Sequence, residues 1–203
     1  MLYHIKAMCY ARQINYITQA FFKERKKDYE AEKLTLQDVI ENLLPLAREN
    51  FSLARQYQYD DEKEITYLPN IYMLINVFDY TIEAHQLEKK KVLSQATMPY
   101  CEWIDEAESL LDALKQTYLI DESEQYTECE AKLWNSINEF TEVISLLNSQ
   151  LDKGKNTPTI RRLLARTYFW RNNDYKGQTK TNARILALME QNIAIEPTVE
   201  KNY

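Results

Sequence analysis

The sequence predicts an all-α protein made of antiparallel helical hairpins, and three observations carry that prediction. Apolar residues recur at steps of three and four along nearly the whole chain, the period of a helix with one buried face. Only 2 of the 203 residues are glycine, too few for the positive-φ turns of an all-β fold or for a glycine-rich phosphate loop. No segment alternates apolar and polar residues as a half-buried strand would. With 45% apolar and 28% charged residues, the chain has the balance of a folded domain and not of a disordered segment.

The first predicted helix carries Tyr3, Ala7, Tyr10, Ile14, Ile17 and Phe21 on one face and ends in the basic run Lys23-Glu-Arg-Lys-Lys27, which suits the negative end of its dipole. A second runs from about Leu36, with Thr35 as its cap, to about Gln58, with Pro45 expected to kink it. Its stripe is Val39, Leu43, Ala47, Phe51 and Ala54. The third extends from near Pro69 to His85.

Ile104, Ala107, Leu111, Leu114 and Tyr118 form the seam of the next helix, opened by Pro99. Leu133, Ile137, Phe140, Ile144, Leu147 and Leu151 predict one continuous helix ended by Gly154. The polar link at 121–125 is short enough to bring these two back as an antiparallel pair. Thr157-Pro158 opens a helix to about Asn172, and a last clear one spans about Thr179 to Ile195. Glu196-Pro197 reads as the opening of a further helix, so the expectation is one helical module over 1–203, a piece of a longer protein.

Searches for chemistry return little. His4 and His85 lie in no Glu-x-x-His or His-Glu-x-x-His pattern, and no Walker A, dinucleotide or Gly-x-Ser-x-Gly motif is present. The expectation is a non-enzymatic chain with no metal and no cofactor. Cys9, Cys101 and Cys129 are odd in number and form no Cys-x-x-Cys pair, which fits a reducing, cytoplasmic setting. The best apolar run, 72–78, is far short of a bilayer span, so no membrane partner is expected.

Two features point to recognition. Tyr57, Tyr59 and Tyr67 fall in a polar stretch of a chain that carries 15 tyrosines, and tyrosine is a favoured contact residue. Charge is also blocked out along the chain. Between Glu102 and Glu130 ten acids stand against Lys115, whereas between Lys153 and Arg184 nine bases stand against Asp174. The basic block, with Arg162 and Arg166 on one helical face and Arg161 and Arg171 nearby, suits an acidic or phosphorylated partner. Its bland alternative is neutralisation against the acidic helices. The net charge of −6 counts against nucleic acid, which stays as an alternative partner for Arg161, Arg162, Arg166, Arg171 and Lys180. A small all-α enzyme with a dispersed site is the other alternative.

Pieces of these stripes resemble a tetratricopeptide repeat. Ala47-x-x-x-Phe51-x-x-Ala54 is similar to its second helix, Ala7 with Tyr10 and Leu164-Ala165-x-x-Tyr168 to its first, Asn173-Asp174-Tyr175 to its turn and Pro197 to its closing proline. The 34-residue period is not kept, so the resemblance implies degenerate repeats stacked as an α-α superhelix. The order of Tyr3-His-Ile-Lys-Ala-Met-Cys-Tyr-Ala-Arg12, Ala47-Arg-Glu-Asn-Phe-Ser-Leu-Ala-Arg55, Ile160-Arg-Arg-Leu-Leu-Ala-Arg-Thr-Tyr168 and Met189-Glu-Gln-Asn-Ile193 resembles the C-terminal repeat region of STAND-type signalling NTPases. These are large bacterial antiphage proteins and their animal antiviral relatives with sterile-alpha-motif domains. The resemblance implies a sensor or scaffold region that binds a protein trigger, with nucleotide hydrolysis in other domains of the same larger chain. The apolar final helix adds an expectation of self-association through 179–203.

Overall fold

The computed structural model describes residues 2–24, 28–58, 63–94, 100–116, 123–174 and 179–195, with backbone alone for 172–174, 179–183, 193 and 195. All regular structure among them is helical. The helices are α1 (Leu2–Lys23), α2 (Tyr29–Asp38), α3 (Leu44–Gln56), α4 (Lys63–Ala84), α5 (Lys89–Ser94), α6 (Cys101–Lys115), α7 (Glu124–Ser136), α8 (Phe140–Asp152), α9 (Pro158–Asp174) and α10 (Thr179–Ile195). They form two compact units, Met1–Tyr126 and Thr127–Tyr203, and the boundary falls within α7.

In the first unit α4 is the hub, packing on α1, α2, α3 and α6. Its buried residues come from every side of the helix, among them Leu68, Ile71, Met73, Leu74, Val77, Phe78 and Ile82. This corrects the expected start at Pro69, because α4 begins at Lys63 and runs through the proline. Proline inside a helix removes one hydrogen bond and costs roughly 3 kcal/mol, which burial on all sides of a 22-residue helix outweighs. Alanines keep α1 and α3 close: Ala7 and Ala11 on one helix and Ala47 and Ala54 on the other are buried, with Phe51 between them.

The expected second helix is also longer than its stripe. Asp28 caps α2 by accepting from the Glu30 and Ala31 amides, both at 3.2 Å. Thr35 lies inside that helix, with its hydroxyl donating to the Ala31 carbonyl. A π-helical turn, Val39–Leu43, then joins α2 to α3, and the Leu44 amide donates to Val39, five residues back. The interruption expected at Pro45 is this wider turn, which carries the chain past a residue with no N–H to give and leaves Pro45 in the first turn of α3.

The single helix expected over 133–151 is two helices. Asn138 has φ 66°, its amide donates to Asn135, and the Glu139 amide donates to Trp134 at 2.9 Å. That is a Schellman closure, which usually takes glycine at the left-handed position. Gln86 (φ 53°) closes α4 and Gly154 (φ 83°) closes α8 in the same way. Ile137 therefore sits in a turn, and the buried face of α8 is Phe140, Val143 and Leu147, with Ile144 only partly covered. Within the first unit α6 packs on α4, and within the second α8 packs on α9. Helix α5, in a polar run, has no counterpart among the expected elements.

Candidate recognition surface

Four arginines of the basic block, Arg161, Arg162, Arg166 and Arg171, lie on α9, in the second unit. Pro158 opens the helix, and the Thr157 hydroxyl accepts from the Ile160 amide at 3.3 Å. Ile160, Leu164 and Ala165 point inward, into a cluster with Ala131 of α7, Val143 and Leu147 of α8 and Leu188 of α10. Asn135 strengthens the seating by donating to the Thr167 hydroxyl at 3.0 Å.

That orientation sorts the four arginines. Arg161 is 1% exposed, which corrects the expectation that it meets a partner. Its Nε donates to Asn192 Oδ1 at 2.5 Å, and its Nη1 donates to the Asn156 carbonyl at 2.8 Å and to the Asn156 side chain. Asn192 in turn donates to the Pro158 carbonyl at 3.2 Å. Amide oxygens thus accept from both Nε and Nη1 of the buried guanidinium, so Arg161 holds α9 to α10. Arg162 is half-buried, with Nη2 donating to Thr159 at 3.4 Å. Arg166 is exposed, and Arg171 lies over the Tyr168 ring at 5.1 Å.

Two aromatic residues join the exposed Arg166 without having been expected. Phe169 is 54% exposed and Trp170 42%. Residues 162, 166, 169 and 170 share one side of a helix, so Arg162, Arg166, Phe169 and Trp170 make a single outward stripe. The spacing was visible in the sequence. The outward orientation was not, since Leu163, Tyr168, Phe169 and Trp170 make α9 apolar on several sides. Lys176 and the side chain of Lys180 lie outside the described residues. Beside the Arg161 network, Leu151, Asn156, Arg184, Ala187, Leu188 and Gln191 line a pocket of about 190 Å³, below the usual size of ligand pockets.

The tyrosines lie in the first unit and part company. Tyr57 is exposed and stacks on Tyr3, centroids 5.9 Å apart. Tyr67 is half-buried beneath Arg55, whose guanidinium carbon stands 5.3 Å from the ring centre. Tyr59 lies outside the described residues. In the same unit the acidic helix α6 meets a cation from α3: Arg48 reaches Glu106 at 2.5 Å and Glu102 at 3.6 Å. Burial, with Asp105 and Asp112 nearby, pushes the Glu108 carboxyl above the ordinary glutamate value.

Among the described residues no helix is long and apolar enough to cross a membrane. No protein-family model matches the chain, and no curated protein or solved structure matches it.

Proposed function

We propose that this chain is a non-enzymatic protein-recognition module of degenerate tetratricopeptide-like hairpins, and that the outward stripe of α9 holds its partner. The observation that carries this reading is the exposure of Phe169 and Trp170 side by side, one turn beyond Arg166. Tryptophan and arginine dominate the energetics of protein interfaces because each buries a large surface and keeps a directional polar contact. Arg162 and Arg166, one turn apart, suit carboxylates on the partner. The small-residue contact between α1 and α3 and the succession α8–α9–α10 support the hairpin reading. The sequence resemblance makes the module the sensor region of a large defence or signalling NTPase, in the cytoplasm, facing a protein trigger.

The test replaces Phe169 with a photo-crosslinking phenylalanine in the native cell. The expected result is a covalent adduct to a protein, lost when Arg162→Glu and Arg166→Glu are combined in the same chain. An adduct to nucleic acid transfers the stripe to the other reading, in which bases stack on the exposed rings. The absence of any adduct overturns both.

A further inference from the structure

Helix α1 turns apolar side chains outward as well as inward. Its buried line is Ala7, Ala11, Ile14, Thr18 and Phe21. At about 100° per residue, the side directly opposite carries Leu2, Ile5, Cys9, Tyr16 and Ala20, all of them exposed. Leu2 is 62% exposed, Ile5 52% and Tyr16 77%. A surface helix normally places its polar residues there. The bases Lys6, Arg12 and Lys23 flank this crest and are also exposed, and no Asp or Glu occurs in the 22 residues of α1, in a chain of net charge −6. Tyr57 adds a further exposed ring beside the first turn through its stack on Tyr3.

We propose that the crest of α1 is a docking strip for an acidic amphipathic helix of a partner protein, independent of the α9 stripe. The line from Leu2 to Ala20 runs roughly 27 Å, or about five turns, and is one to two side chains wide, the shape of a seam between two helices. The partner's apolar stripe covers Leu2, Ile5, Cys9 and Tyr16 while its carboxylates meet Lys6 on one flank and Arg12 and Lys23 on the other. Charge selects this occupant. A second copy meeting crest to crest would oppose like charges with no carboxylate on either helix to answer them. A lipid surface takes up a broader apolar face that can sink into it, whereas α1 is held on its other side by α3 and α4.

The experiment titrates the full chain against a labelled synthetic peptide of about three heptads, with Leu at the seam and Glu on both flanks. A twin peptide carries Lys in place of Glu. The acidic peptide is expected to bind at least about ten-fold more tightly than its twin, and Ile5→Glu or Tyr16→Glu to abolish the binding without changing the melting temperature. Combining Lys6→Glu with Arg12→Glu is expected to reverse the preference between the two peptides. Alkylating Cys9, the exposed one of three free thiols, with a bulky maleimide is expected to block both. Equal binding of the twins, or binding of neither, overturns the proposal. So does concentration-dependent dimerisation lost in Tyr16→Glu, which assigns the crest to a second copy. Tyr16-dependent sedimentation with phosphatidylserine vesicles also overturns it, in favour of lipid.

Discussion

Arg161 Nε donates to Asn192 Oδ1 at 2.5 Å, and this bond ties the first turn of α9 to the last turn of α10 across the interior of the second unit. Replacing Arg161 by Met keeps the length of the stem and strands the side-chain oxygens of Asn156 and Asn192. A buried polar group left without its partner costs about 1–3 kcal/mol, so Arg161→Met is expected to lose about 3 kcal/mol in denaturant unfolding. Arg166→Ala, on the outward stripe, is expected to stay within about 0.5 kcal/mol of the parent. Similar costs for the two variants would contradict the sorting of the arginines.

The Tyr80 hydroxyl donates to the Glu32 carboxylate at 2.6 Å, joining α4 to α2. Tyr80→Phe is expected to cost about 1.5–3 kcal/mol at neutral pH, the worth of a hydrogen bond to a charged group. Burial and the bond to Glu32 raise the phenol above its ordinary value of 10.0. The folded state therefore holds this proton more tightly than the unfolded state does. The stabilisation is complete below pH 10 and is lost as pH rises toward the raised value. The stability gap between the parent and Tyr80→Phe is expected to be constant from pH 7 to 9 and to narrow above 10, as read by urea unfolding at each pH.

Gln86 and Asn138 occupy left-handed backbone positions at φ 53° and 66°. Side chains with a Cβ lose roughly 1–2 kcal/mol in that region, asparagine less than most. Gln86→Gly is expected to stabilise the chain by about 1 kcal/mol and Asn138→Gly by about half that, after the added chain entropy of glycine is set against the relief. Thermal melts of both variants check the order.

Asn70 lies wholly buried in α4, and among the described residues neither its Oδ1 nor its Nδ2 has a hydrogen-bond partner. Leucine has a similar shape and needs no partner, so Asn70→Leu is expected to raise stability by about 1–3 kcal/mol. A loss of stability would show that the amide has a partner in solution.

Glu108 sits on α6 between Asp105 and Asp112, and its folded pKa is raised by burial and by both neighbours. Its protonated form is favoured in the folded state, so stability from this group is full below the ordinary value of 4.5 and is lost as pH rises through the raised value. Glu108→Gln is expected to melt slightly higher than the parent at pH 7 and at the same temperature at pH 3.

The spacing of apolar residues was enough to establish an all-α chain and to place most helices, because a 3.6-residue period is a local property that burial on one face imposes on any helix. It also located α1 and its Ala7 face, the Ala47–Phe51–Ala54 face of α3 and the arginines of α9. Tertiary structure decided what periodicity leaves open. Pro69 could stay inside α4 because its neighbours bury that helix on all sides, and the seam through Leu133 and Leu151 could hide a break because Asn138 accepts a left-handed backbone without disturbing the spacing of apolar residues around it. The roles of adjacent Arg161 and Arg162 depended on the phase of α9. With Leu163, Leu164, Tyr168, Phe169 and Trp170 nearly encircling that helix, its own residues were compatible with several inward faces. Packing against Val143, Leu147 and Leu188 chose one of them. That choice buried Arg161 on Asn192 and turned Arg166, Phe169 and Trp170 to the solvent, since the free energy of an orientation belongs to both packed surfaces together and not to either sequence alone.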